Sequence, residues 1–167
     1  MIAALDTEAR GPFGAQELIC AVLDFGPERA PEVYLREDLQ ALAARLDEAD
    51  TVLVFNGISY DAPLLRRHGV AVETAGWWDL YAACRERGNG MTQADIAWAT
   101  LGIQPGATRG EDIDALWAAH RADVVIDKCK EDARTLWALA AHVSRSGWLR
   151  CLDGRAVPVA VPLGLTV

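Results

Sequence analysis

The hydrophobic period of this chain changes near residue 37, and that change restricts its fold more than any other feature. Before it, Ile2–Glu8, Leu18–Phe25 and Glu32–Arg36 are short apolar runs separated by Gly11-Pro12 and Gly26-Pro27. Such runs between turn residues predict three strands of an antiparallel meander. After it, Glu37–Asp47 sets Leu39, Leu42, Ala43 and Leu46 on one helical stripe,. Thr51–Phe55 is apolar without alternation, which predicts a strand buried on both faces,. A strand, a helix and a further strand call for a right-handed crossover into the same sheet.

The remainder reads as mainly helical. Asp61–His68 is a short helix stopped by Gly69, followed by helices over Trp78–Arg87, Thr92–Leu101, Glu111–His120 and Asp123–Ser146,. Trp148–Leu152 and Ala156–Val161 flank Asp153-Gly154 and predict a hairpin,. The expected fold is α/β: a mixed β-sheet, three antiparallel strands then parallel strands, flanked by α-helices. Residues 1–167 suit a single domain with one core,.

Composition removes several classes of function. No apolar run is long enough to span a bilayer,. Met1 leads directly into Ile2-Ala3-Ala4-Leu5 without a basic segment or cleavage site, so a cytoplasmic location is expected,. Cys20, Cys84, Cys129 and Cys151 form no zinc spacing and read as reduced core thiols,. His68, His120 and His142 are equally scattered, leaving little for a His/Cys metal site or a Ser/His/Asp triad. The six tryptophans are expected in the core,. The formal net charge of −8 repels phosphate,. Divalent cations bound by clustered carboxylates would reverse that repulsion locally. Basic residues are also grouped, at Arg66-Arg67-His68 and at Arg121, Lys128, Lys130 and Arg134.

The chemistry-bearing positions are acidic. Asp6 and Glu8 lie two apart on the first strand, so both point to one face, along with Ile2 and Ala4,. They either begin a solvated loop before Gly11 or ligate a hard divalent ion, which takes oxygen ligands. Asp61 follows a buried strand in Asn56-Gly57-Ile58-Ser59-Tyr60-Asp61-Ala62-Pro63. There it is either a helix cap or a ligand. Asp132 falls on the apolar stripe of Val125, Cys129, Leu136, Leu139 and Val143, so it needs a compensating charge,. That charge is either a metal or Lys128, one turn back. Four carboxylates holding two cations roughly 4 Å apart is the geometry of phosphodiester cleavage.

In these motifs the chain resembles the DEDD superfamily of 3′–5′ exonucleases, which have a ribonuclease-H-like fold. The D-x-E motif is Asp6-Thr7-Glu8, the N-x3-(F/Y)-D motif runs from Asn56 to Tyr60-Asp61, and the third motif ends in Asp132. The segment from Trp78 to Trp148 is also similar to short bacterial exonuclease domains of this fold. The resemblance implies a metal-dependent 3′–5′ exonuclease acting on a DNA or RNA 3′ end with two Mg²⁺ or Mn²⁺ ions. Asp6, Glu8 and Asp132 would hold the ion that activates water. Asp6 would share the second ion, with Asp61 as its other contact. The backbone at Thr7, with Asn56 and Tyr60, would grip the terminal nucleotide, although Tyr60 also suits a packed aromatic. The pattern departs at one place. Lys128 stands where the tyrosine branch has tyrosine, and Asp127 stands where the histidine branch has histidine. Lys128 either positions the water, or displaces one metal and pairs with Asp132. The second possibility implies a catalytically weak or inactive nucleic-acid-binding or interaction module on the same fold. An endonuclease or resolvase fits less well, since those enzymes usually draw the second acid from another strand.

Overall fold

A computed structural model describes residues 1–85, 91–104, 106 and 112–162. Strands β1 (Ile2–Arg10), β2 (Glu17–Asp24) and β3 (Glu32–Tyr34) form the expected antiparallel meander. A 3-10 turn over Arg36–Asp38 leads into α1 (Leu39–Asp47), which carries the chain to β4 (Thr51–Val54), parallel to β1. Helix α2 (Asp61–Arg67) then returns the chain to β5 (Trp77–Asp79), parallel to β4. The five strands run in the order β3-β2-β1-β4-β5. This is the expected ribonuclease-H-like mixed sheet, with β1 at its centre.

Strand β5 corrects the expectation of a helix beginning at Trp78. The helix, α3, spans only Leu80–Arg85; the expected end at Arg87 lies outside the described residues. Three residues are too few to display a strand period, and no turn separates them from the helix,. The short helices α4 (Gln93–Leu101) and α5 (Ile113–Ala118) follow. Glu111, where α5 was expected to start, also lies outside the described residues. Helix α6 (Ala122–Ser146) ends at Gly147, whose φ of +74° suits the left-handed cap,. The expected hairpin is present as β6 (Trp148–Arg150) and β7 (Ala156–Pro158). No helix among the described residues is long and apolar enough to cross a membrane.

Both faces of β1 are covered, which accounts for its unbroken apolar start. Ala3 and Leu5 pack with Leu42 of α1 and Leu64 of α2 on one face. On the other, Ala4 meets Leu136, Leu139 and Val143 of α6, while Cys20 and Val22 of β2 meet Val125 and Cys129. Helix α6 therefore lies along the face to which Asp6 and Glu8 point. All four cysteines are buried free thiols, as expected. The tryptophans depart from expectation: Trp78 is buried, Trp77, Trp117, Trp137 and Trp148 are half-buried, and Trp98 is exposed.

The loop after β4 depends on close packing. Asn56 has φ of +62°, and Tyr60 N–H donates to its carbonyl at 2.9 Å. A Cβ at Gly57 would lie 2.5 Å from Cβ of Val54, closer than side chains can approach. Gly57→Ala is therefore expected to cost about 1–3 kcal/mol of overpacking. Urea unfolding would measure this; a variant as stable as wild type would contradict the packing described.

Candidate metal centre and cleft

β1 delivers Asp6 and Glu8 together because its pleat places alternate residues on one face. The pairing with β2 is regular through Glu8↔Cys20 and shifts between Glu8 and Ala9. That bulge ends the regular register immediately after the acidic pair, a place where bulges re-aim side chains. From the opposite side, α6 brings Lys128 and Asp132 onto the pair. Cys129 fixes the approach, its thiol donating to the carbonyl of Asp6 at 3.4 Å.

Asp6, Glu8 and Asp132 each offer a carboxylate oxygen, and these oxygens lie within 4.8 Å of one another. Oδ2 of Asp6 is sealed from solvent and has no hydrogen-bond partner among the described residues. Burial pushes the Asp6 carboxyl well above the usual range. The charges of Asp132, Glu8 and Asp61 push in the same direction, and Lys128 opposes them. Glu8 is raised by burial, with Lys128 pulling it down. These are oxygen-only ligands in a negative, water-poor setting, with one carboxylate oxygen left unsatisfied. Such a set fits a hard divalent cation, and Asp6, Glu8 and Asp132 are the residues that would hold it.

Lys128 completes the group. Its Nζ donates to Oε1 of Glu8, and to Oδ2 of Asp132 at 2.6 Å. Burial alone would lower the ammonium's pKa, but Glu8, Asp132 and Asp6 outweigh burial and raise it, keeping the group charged. Of the two sequence alternatives for Asp132, the ion pair with Lys128 is present, and its carboxylate also belongs to the group that could hold a metal ion. Asp132 is less enclosed than its stripe position implied: its side chain is 33% exposed, against 9% for Glu8.

Asp61 lies beside this cluster rather than in it. It is the first residue of α2, directly after the N-cap Tyr60, which makes no side-chain capping bond. It is buried, and its carboxylate accepts the hydroxyl of Thr7. Burial pushes its carboxyl up to about 7, against the Thr7 hydrogen bond. Thr7 therefore acts through its hydroxyl, where the sequence suggested only its backbone. Tyr60 is the packed aromatic of one earlier reading, and its position also borders a cleft. It packs against the core, accepts from Gln16 Nε2 at 2.8 Å through its hydroxyl, and lines an open cleft of about 430 Å³. Asp6, Glu8, Asp61 and Lys128 line the same cleft, whereas Asn56 and Asp132 do not.

Two acids escaped the sequence reading. Asp114 of α5 lines the cleft and accepts the backbone N–H of Gly11 at 3.0 Å. Asp79 is buried and accepts from the backbone N–H of Asn56 at 2.7 Å, Ile58 at 3.2 Å and Tyr81 at 3.0 Å. It thereby clamps the loop that presents Tyr60 and Asp61. Its only visible signal was an acid directly after Trp77-Trp78, which has no meaning until β5 is known.

Of the basic residues grouped in the sequence, Lys128 lines the cleft, and most of the others are engaged with other partners. Arg121 pairs with Asp123 at 3.1 Å and Lys130 with Asp127 at 3.0 Å, Arg66 donates to the carbonyl of Val72 at 2.9 Å, and His68 Nε2 accepts the N–H of Leu18 at 3.1 Å. Arg134 lies 4.0 Å from Asp24.

No protein-family model matches the chain, and no curated protein matches it. Among solved structures, the chain is similar to the family B DNA polymerase from the hyperthermophilic archaeon Pyrobaculum calidifontis. That similarity has a TM-score of 0.72 at 16% identity, over 86% of this chain and 24% of the polymerase chain. A second match is a crystal structure of the EXD2 exonuclease domain soaked in Mg and GMP, at 23% identity and a TM-score of 0.37, over 85% of this chain and 76% of that one. The first likeness is one of fold, and the chain spans about a quarter of the polymerase it matches.

The raised Asp61 carboxyl has a consequence for pH. The folded state binds that proton more tightly than the unfolded chain does. Its contribution is therefore present below the ordinary value of 3.8 and is lost as pH rises through about 7,. In EDTA, the Tm gained by Asp61→Asn over wild type should be larger at pH 8 than at pH 5. An equal gain at both pH values would contradict this assignment.

Proposed function

We propose that this chain is a divalent-metal-dependent 3′–5′ exonuclease acting on DNA or RNA ends. The observation that carries the reading is the sealed, unpartnered Oδ2 of Asp6 within a cluster of three carboxylates at an open cleft. A buried carboxylate oxygen beside like charges is costly, and an ion removes both the repulsion and the missing contact. The order of the three acidic motifs and the ribonuclease-H-like fold support the same reading. Proximity of carboxylates alone would support only a metal site.

Each residue has a part in this account. Asp6, Glu8 and Asp132 hold the ion. Bound there, Mg²⁺ or Mn²⁺ supplies a water of lowered pKa and a positive charge facing the phosphate. Asp61, oriented by Thr7, places a further carboxylate at the same cleft. Tyr60, held by Gln16, offers a ring face and a hydroxyl for the terminal sugar and base. A volume of about 430 Å³ is in the range of small-ligand pockets, which suits one frayed terminal nucleotide better than a duplex,. With Lys128 as the basic side chain lining the cleft, attraction of the phosphate relies on it and on the bound ion.

A second reading, a weakly catalytic or inactive nucleic-acid-binding module, is favoured by one observation: Lys128 already bridges Glu8 and Asp132. End-labelled single strands of DNA and RNA separate the two. With Mn²⁺, the exonuclease reading expects stepwise shortening from the 3′ end, abolished by EDTA. Asp6→Asn should lower the rate at least about 100-fold, in line with loss of several kcal/mol of charge stabilisation. Bound but intact strands would favour the second reading, and neither binding nor cleavage would overturn both.

A further inference from the structure

We propose that the ammonium of Lys128 takes the place of one of the two cations, so that the wild-type site holds a single divalent ion. The inference rests on the metal-binding reading above and concerns how many ions that site accepts. Three observations carry it. Nζ of Lys128 donates to both Glu8 and Asp132, two of the three residues whose oxygens converge. Its side chain is only 16% exposed, wedged between α6 and β1, so it is not a surface lysine that happens to lie near acids. Finally, Lys128 lines the cleft, so its ammonium is a cation presented to a substrate there.

An ammonium and a divalent ion compete for the same lone pairs. Mg²⁺ approaches its oxygen ligands to about 2.0–2.1 Å, so a second ion would demand the oxygens that Nζ engages. The three carboxylates and the ammonium carry a formal charge of −2, which one divalent ion cancels. Placing a second ion among the same oxygens sets three cations against one another. Oδ2 of Asp6 is the oxygen left over, sealed and without a donor, and it is where the single ion is held. The two cations differ in what they do. A lysine ammonium stabilises negative charge on a phosphate, but it has no coordination position for water and so does not lower a water's pKa as a metal ion does. Lys128 thus keeps the site electrostatically able to take a nucleic-acid end while removing one source of activated water.

Counting ions tests this without relying on activity. Metal-stripped full-length protein is titrated with Mn²⁺, and bound ions are counted by calorimetry and by loss of the free Mn²⁺ paramagnetic resonance signal. Wild type is expected to bind one Mn²⁺ per chain, and Lys128→Ala two. Lys128→Gln, which keeps most of the stem and drops the charge, is a second variant for the case where the alanine variant does not fold. Two ions in wild type, or one in both variants, would overturn the inference and leave the metal reading intact. No ion in wild type but one in the variants overturns the one-ion count in the same way. No ion in any of the three proteins would overturn the metal reading itself.

Discussion

The carboxylate of Asp6 lies among those of Glu8, Asp132 and Asp61 in a place where burial removes the water that would screen them,. Much of the architecture around it is what such crowding requires. The carboxylates come from the central strand, from the helix after its parallel neighbour and from the long helix packed across it. Two layers of apolar packing hold those three elements together. The repulsion between the acids is thus borne by core contacts distant from them, such as Leu136 and Leu139 against Ala4 and Leu53. A fold arranged in this way has a standing need for positive charge at one point, and Lys128 meets part of it.

The same constraint makes sense of the charge of the chain. A net charge of −8 argues against a protein that grips phosphates with its own surface,. The structure strengthens that objection for the protein alone, since Arg121, Lys130, Arg66 and His68 are all engaged locally. Under the proposed function, the cleft would then depend on bound cations, which would link nucleic-acid affinity to metal in a way that a basic groove would not. Of the grouped basic residues, Lys128 is the one that lines the cleft, and its two carboxylate partners belong to the group that could hold a metal ion.

The sequence disclosed the meander, the crossover and the long helix because each is long enough to show its period. The pairing of Asp6 with Glu8 and the stripe position of Asp132 were legible for the same reason. What escaped was short or non-local. β5 has three residues and runs straight into a helix, so Asp79 looked like a helical acid rather than a clamp on the Asn56–Tyr60 loop. Asp61 resembled a cap because it stands at a helix start, and its hydrogen bond with Thr7, 54 residues away, is a contact that no local pattern shows. The tryptophans misled in the other direction. Their size suggested core, yet Trp98 lies exposed on a helix whose buried residues are small or aliphatic.

The central claim is that a divalent cation belongs on Asp6. Anomalous diffraction from a crystal soaked in Mn²⁺ tests it most directly. A cation held there gives an anomalous peak at coordination distance from Asp6 Oδ2, with Lys128 Nζ still bridging Glu8 and Asp132 beside it. A soaked crystal with no peak at Asp6 would contradict it.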